Sequence, residues 1–182
     1  MIKVLISFVA GVLLVALVAY KFAGDFMLTE YESPFGVEET AARIQANIQS
    51  LEKRGWKLSA LRNPARAVAV SGTNVLPVLL VEACSTSYSA PLLKDDETRI
   101  LSILMPCTIT VYKKDNGKTY MGIMNSALMG KMFGDKVASV MKEVAKDQQE
   151  FIKMDPSKKA PPLIRKRPGG GSGGAGAQEA GC

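Results

Sequence analysis

The stretch SPFGVEETAARIQANIQSLEKRGWKLSA, residues 33–60, decides the fold class. Its apolar residues recur at steps of three and four, as expected for one face of an amphipathic helix: Val37, Ala41, Ile44, Ile48 and Leu51. Gly36 stands at the N-cap position, and Gly55 stands where a helix commonly ends in a left-handed residue. From Trp56 onward, apolar and polar residues alternate, which predicts a strand. The stretch therefore predicts a helix followed directly by a strand.

Further strands and one helix are predicted on either side of this unit. The strands are residues 27–31, 75–83, 100–112 with an interruption at Pro106, and 119–124, with a polar loop over 84–91. Asp115-Asn116-Gly117 is a strong hairpin signal before the last strand. Apolar residues from Val137 to Phe151 mark one face of a long final helix. This order predicts an α+β domain, an antiparallel sheet with two main helices on one face.

Two blocks of this sequence resemble the bacterial domain-of-unknown-function family 302. The first block is SPFGVEET, residues 33–40, closing at KRGW, residues 53–56. The second runs from APLL, residues 90–93, through LMP at 104–106 to TVY and DNGK, residues 110–118. The resemblance covers roughly residues 27–151. It implies a TATA-binding-protein-like α+β fold without DNA binding, and it implies no particular reaction.

An apolar N-terminal segment precedes this domain. Residues 4–20, VLISFVAGVLLVALVAY, carry no charge and as a helix cover roughly 25 Å, enough for a thin bilayer crossing. A cleaved signal peptide and a buried core helix are the competing interpretations. The exit AYKFAGD lacks a small-x-small cleavage site, and a helix that is apolar all round has no solvent face. We therefore expect an uncleaved single-span anchor through residues 4–23.

Charge near the span predicts its orientation. The N-terminal amine and Lys3 precede it, and Lys21 follows it with acidic residues close behind. The positive-inside tendency then places the N-terminus in the cytoplasm and the domain in the periplasm, as a single-pass protein of a bacterial inner membrane. The domain itself is neutral, with 15 basic and 15 acidic residues between Asp25 and Glu150. A neutral domain gives no footprint for nucleic acid.

The composition excludes several kinds of active site. The chain has no histidine, which removes Ser-His-Asp and Cys-His nucleophiles and every zinc site that uses histidine. No GxGxxG, GxxxxGK[ST] or HExxH motif is present. Residues 94–97, KDDE, lack the spacing of a cation site and are predicted to form a solvated turn. We expect no cofactor, no metal and no catalytic residue, with the cysteines as the remaining chemical candidates.

The sequence leaves four roles open for Cys84 and Cys107, which lie at the end and the start of predicted strands. They are inert buried thiols, a Cys84–Cys107 disulfide, or a redox or sulfur-relay pair with Cys84 as the reactive thiol. The fourth role is soft-metal binding by their thiolates together with methionine. We expect the two residues to be close enough to bridge. Glu82, within a strongly apolar strand, is predicted to face water at a sheet edge.

A basic segment and a glycine-rich segment follow the domain. The cations Lys158, Lys159, Arg165, Lys166 and Arg167 are candidates for contact with anionic lipid or an acidic partner. Cys182 lies in the final glycine-rich stretch. Both segments are too poor in apolar residues to fold alone, which predicts a disordered tail that the domain does not need.

The sequence therefore predicts three parts: an anchor over 1–24, an α+β domain over 25–154 and a tail over 155–182. The function predicted from them is a membrane-tethered, non-catalytic accessory module that binds a small ligand or a partner on the periplasmic side. The partner is a membrane complex or a second copy of the chain. The alternative function is thiol redox or sulfur relay through Cys84 with Cys107.

Overall fold

A computed structural model describes residues 2–165, and its centre is one five-stranded antiparallel sheet. The strands are β1 (Leu28–Ser33), β2 (Trp56–Arg62), β3 (Val78–Ser85), β4 (Cys107–Lys113) and β5 (Thr119–Met124). Their order across the sheet is β1-β5-β4-β3-β2. Every neighbouring pair is antiparallel. The predicted α+β class and antiparallel sheet are confirmed.

Six α-helices accompany the sheet in the described residues. They are α1 (Ile2–Met27), α2 (Val37–Ser50), α3 (Pro64–Ala69), α4 (Thr86–Leu93), α5 (Ser126–Lys131) and α6 (Asp135–Phe151). Two 3₁₀ helices, Glu52–Arg54 and Arg99–Leu104, complete the pattern. The start of α2 is as predicted, because Gly36 is its N-cap. The helix itself ends at Ser50, with Leu51 as its C-cap. Gly55, predicted to end this helix, instead ends the Glu52–Arg54 helix that follows, with a left-handed φ of 81°.

The core lies between one face of the sheet and the helices α2 and α6. Alternate strand residues point into it, among them Val81 of β3 and Ile109 of β4, both fully buried. Ile44 and Ile48 of α2 and Phe151 at the end of α6 belong to the same apolar cluster. Burial of this shared face explains why the two most strongly patterned helices of the sequence are the ones that cover the sheet.

Two segments differ from the predictions made for them. Residues 86–93 form α4 rather than a polar loop, and the hydroxyl of Ser89 donates to the carbonyl of Ser85 one turn earlier. Residues 99–104 form a 3₁₀ helix rather than a strand. Leu101 and Leu104 are three residues apart, so a 3₁₀ helix of three residues per turn presents both to the interior. The short helix α5 was not predicted.

The two ends of the sheet differ in what they carry. We call the end that contains Leu28, Met124, Ser85 and Cys107 the proximal end, because α1 enters β1 there. The connections holding α4, the Arg99–Leu104 helix and α5 all leave or enter the strands at this end. The opposite, distal end carries the hairpin of β4 and β5, in which Gly117 has a φ of 79°.

Helix α1 continues directly into the domain. Its segment Ile2–Lys21 is long and apolar enough to cross a membrane by length and composition, and it is not buried against the domain. Asn125 ties the last turn of α1 to the start of α5, since its backbone N–H donates to the carbonyl of Met27 at 2.8 Å. Its side-chain amide donates to the carbonyl of Phe26 at 3.2 Å.

The first part of the predicted tail packs on the domain, which corrects the expectation of a disordered spacer from residue 155. The side-chain amide of Gln45 donates to the carbonyl of Ile164 at 2.9 Å and accepts from its backbone N–H at 2.8 Å. Arg43 donates to the carbonyls of Asp155 and Lys158, and Leu163 packs on the core. Polar side chains of α2 thus bind the backbone of this segment, which needs few apolar residues of its own.

Candidate functional site

A small apolar cavity lies at the proximal end of the sheet, beneath α4, α5 and α6. Its volume is about 40 Å³. Most of its lining is apolar: Trp56, Leu92, Leu101, Leu104, Met105, Met129, Phe133, Val137, Val140, Met141 and Val144. An apolar cavity of this kind gives water few hydrogen-bond partners, so an apolar group fills it more favourably than water does.

The lining explains both the closure of the cavity and its capacity to change. Gly130 of α5 lets the chain approach α6 closely, because a Cβ atom there would lie 2.5 Å from the Cβ of Met141. Three of the lining side chains are methionines, whose flexible thioethers adapt to irregular shapes. Phe133 also lines the cavity and is 45% exposed, so it separates the interior from solvent.

A buried carboxylate holds two aromatic residues of this lining. Asp147 of α6 is 1% exposed and accepts from the indole N–H of Trp56 at 2.7 Å. It also accepts from the hydroxyl of Tyr88 at 3.1 Å and forms an ion pair with Arg54. The carboxylate thus joins β2, α4 and α6 at one point. We refer to Asp147, Trp56, Tyr88 and Arg54 as the Asp147 cluster.

Two donors of the cluster are held in their protonated forms. The hydrogen bond to Asp147 raises the pKa of Arg54, which keeps the guanidinium protonated. Burial, followed by the hydrogen bond to Asp147, raises the pKa of Tyr88, which keeps its phenol protonated as a donor. All three donors therefore remain donors at neutral pH, so the cluster holds Trp56 and Tyr88 in place and provides no mobile proton.

The two candidate cysteines both line the cavity but do not bridge each other. Cys107 is a free thiol, so the structure does not contain the Cys84–Cys107 disulfide, one of the alternatives that the sequence left open. The strand register supplies the reason, since Ala83 rather than Cys84 stands opposite Cys107. That Cys84 and Cys107 lie close enough to bridge stays a prediction. Cys182 lies outside the described residues.

The surroundings of Cys107 oppose reactivity. Burial raises the pKa of its thiol from 9.0 to about 11. Only about one molecule in 10⁴ then carries the nucleophilic thiolate at pH 7. The Sγ atom of Cys84 lies 3.5 Å from the hydroxyl of Ser89. The raised pKa of Cys107 fits a residue that lines the cavity without reacting.

The remaining predicted residues lie away from the cavity. Glu82 is 7% exposed and forms an ion pair with Arg62, which corrects the prediction of a water-facing edge position: β3 lies between β2 and β4. Arg165 pairs with Glu38 in the first turn of α2. Lys158 pairs with Asp155 and Lys159 is exposed, while Lys166 and Arg167 lie outside the described residues.

The acidic turn at residues 94–97 is partly held to the domain. Asp95 pairs with Lys136 of α6, and this hydrogen bond lowers the pKa of Asp95. No group of three or more potential metal ligands of the histidine, cysteine or acidic type is present within residues 2–165. The ion pair with Lys136 links this turn, which precedes the Arg99–Leu104 helix, to α6.

Sequence reasoning missed Asp147 and Tyr88. Asp147 lies on α6 among Val144, Gln148 and Phe151, all of which are buried, so a charge in that row was a usable signal. Tyr88 stands in a serine-rich stretch that resembles a loop, and its role depends on α4. The sequence identifies Trp56 only as a strand residue.

Comparison with known proteins gives a family and a fold. The family model described as a domain of unknown function, DUF302, matches residues 29–154. The crystal structure of an uncharacterized conserved DUF302 protein from Bacillus stearothermophilus is similar, with a TM-score of 0.60 and 18% sequence identity. The match covers 69% of this chain and 95% of that one. No curated protein matches the sequence.

Proposed function

The chain belongs to the DUF302 family, and we propose that it is a membrane-tethered, non-catalytic module that binds a small apolar ligand in the proximal cavity. The ligand class is the end of a hydrocarbon chain, such as that of a fatty acid. The observation that carries this proposal is the apolar cavity of about 40 Å³ with methionines and Phe133 at its boundary.

The contents of the cavity favour binding over catalysis. Polar groups at its wall are already engaged, since Trp56 and Tyr88 donate to Asp147 and Ser89 donates to Ser85. A ligand in the cavity therefore contacts apolar atoms and polar groups whose hydrogen bonds are already formed. None of these groups is free to act as an acid or base in proton transfer. The thiol-relay alternative gains no support from Cys107, because its pKa is raised to about 11.

Helix α1 supports the tether. Its exposed apolar surface along Ile2–Lys21 has no packing partner in the domain, and burial in lipid would remove that surface from water. Under this proposal the helix is an uncleaved anchor, the N-terminus is cytoplasmic and the domain is periplasmic. The arrangement of α2 and α6 on one sheet face supports the TATA-binding-protein-like description.

Fluorescence of Trp56 tests ligand binding in the full-length chain. Trp56 is the only tryptophan, is 1% exposed and lines the cavity. We expect 8-bromooctanoate to quench its fluorescence saturably in nanodiscs, because bromine quenches at contact, and we expect octanoate to reverse the effect. Val140→Phe, which places a ring in the cavity, should weaken quenching at least tenfold.

Val70→Phe is the matched control, because Val70 is 87% exposed after α3, at the distal end. This variant should bind like the parent chain. Unquenched Trp56, or equal quenching in both variants, would contradict binding in the cavity.

A separate measurement tests whether α1 is retained as a membrane anchor. Mass spectrometry of the membrane fraction should find the mature chain with its N-terminal segment intact. A mature N-terminus between Ala23 and Met27 would refute the anchor and indicate a cleaved signal peptide.

A further inference from the structure

A second apolar surface lies beside the cavity. It consists of Ile100 and Ile103 on the Arg99–Leu104 helix, and of Met132 and Phe133 directly after α5. Their exposed fractions are 74%, 83%, 66% and 45%. We call these four residues the apolar rim. Exposed large apolar side chains that occur together, rather than singly, indicate a contact surface.

The two halves of the rim are held next to each other. Leu101 and Leu104, which alternate with the exposed isoleucines, pack with Val137 of α6, and α6 begins two residues after Phe133. The ion pair between Asp95 and Lys136 joins the same two segments. Both halves of the rim are therefore tied to the start of α6, next to residues that line the cavity.

The rim lies at the end of the domain where α1 arrives. Helix α5, which leads directly to Met132, begins at Ser126, next to Asn125 and its hydrogen bonds to Phe26 and Met27. The Arg99–Leu104 helix leads into β4 at the same proximal end. A bilayer that holds α1 is consequently on the side of the domain that carries the rim.

We propose that the apolar rim inserts into the surface of the same bilayer that holds α1. This inference rests on the membrane tether of the proposed function. It gives the domain a second membrane contact, which restricts its rotation about the anchor. Phe133 belongs to both the rim and the cavity wall, so the mouth of the cavity then faces lipid. Apolar chains would enter the cavity from the bilayer without crossing water.

The charges around the rim predict which membranes it contacts. The basic residues Lys94, Arg99, Lys131 and Lys136 are matched by Asp95, Asp96, Glu97 and Asp135. The contact should therefore depend on apolar burial and change little with anionic lipid or salt. The described part of the basic tail cannot replace it, because Arg165 pairs with Glu38 near the distal end.

Tryptophan reporters in full-length protein test the insertion. The variants are Phe133→Trp and Ile103→Trp in the rim, Val70→Trp as the exposed distal control and Val9→Trp in the anchor. Each is reconstituted in nanodiscs of zwitterionic phosphatidylcholine brominated along its acyl chains, and the signal of Trp56 in the parent chain is subtracted. We expect the rim reporters to be quenched at least twofold more than Val70→Trp.

The reporters separate failure of this inference from failure of the tether. Quenching at Val9→Trp without quenching at either rim position would overturn rim insertion and leave the anchor intact. Absence of quenching at Val9→Trp would overturn the anchor, and with it the inference. Unquenched rim reporters accompanied by two copies of the chain per disc would identify a second copy as the occupant of the rim, which also overturns the proposal.

Discussion

Replacement of Asp147 by alanine should destabilise the domain substantially. The substitution removes the acceptor of three donors, of which the indole N–H of Trp56 is the most deeply buried, at 1% exposure of the residue. Tyr88 is half-buried and Arg54 is largely exposed, so water can partly replace Asp147 for these two. Most of the stability lost in Asp147→Ala therefore comes from the unsatisfied indole N–H of Trp56.

The expected loss follows from these environments. An unsatisfied indole N–H in the core costs about 1–3 kcal/mol, and the lost Tyr88 bond costs about 1 kcal/mol. The ion pair of Arg54 adds little to this sum, because its guanidinium is exposed and water screens the charge. The relieved desolvation of a buried carboxylate offsets part of the sum. We expect Asp147→Ala to lower the free energy of unfolding by about 3 kcal/mol, or the melting temperature by roughly 10 °C.

Thermal unfolding of the full chain in nanodiscs, followed by Trp56 fluorescence, measures this loss. Glu143→Ala is the matched control, because Glu143 lies on the same helix and its bond to Lys146 is on the surface. That variant should change the free energy by less than about 0.5 kcal/mol. If Asp147→Ala were no more destabilising than Glu143→Ala, the reasoning that Asp147 holds β2, α4 and α6 together would be refuted.

Three further outcomes are expected. Gly55→Ala should lower the free energy of unfolding by about 1–2 kcal/mol in chemical denaturation, because Gly55 has a φ of 81° and a Cβ there would lie 2.5 Å from a serine hydroxyl. Gly36→Ala, at a φ of −67° and in open space, introduces no such strain and should cost less; equal effects would contradict this. A chain that ends after Met154 should have a free energy of unfolding about 2 kcal/mol lower than one that ends after Arg165, because only the longer chain keeps residues 155–165 bound to α2. Identical melting temperatures would show that this segment does not dock. Alkylation of Cys107 at pH 8, followed by mass spectrometry, should be about 100-fold slower in the native chain than in urea, because folding raises the thiol pKa from 9.0 to about 11; comparable rates would exclude that burial.

Patterns within short stretches of the sequence predict much of the fold. The amphipathic spacing of α2 and α6, the glycine at residue 55 and the hairpin signal at Gly117 are properties of neighbouring residues, and each appears where the sequence predicts it. The apolar segment at the N-terminus is equally a local property. These features need no knowledge of contacts across the chain, because backbone geometry and burial of one face already determine them.

The segments that build the cavity depended on tertiary contacts. Serine-rich residues 86–93 are helical where Tyr88 reaches Asp147, 59 positions away in the chain, and the apolar run at 100–104 forms a 3₁₀ helix where Leu101 packs on Val137. Short segments of this kind have too few residues for periodicity to distinguish a helix from a strand or loop.

The chemistry of the candidate site also depends partly on local sequence and partly on tertiary contacts. The sequence alone excluded histidine-based catalysis and singled out Cys84 and Cys107, because composition and position are local information. Only the tertiary structure placed Ala83 opposite Cys107, buried the Cys107 thiol and brought Asp147 to Trp56. Register between strands and contacts between distant elements depend on how the whole core packs, and no local stretch of residues contains that information.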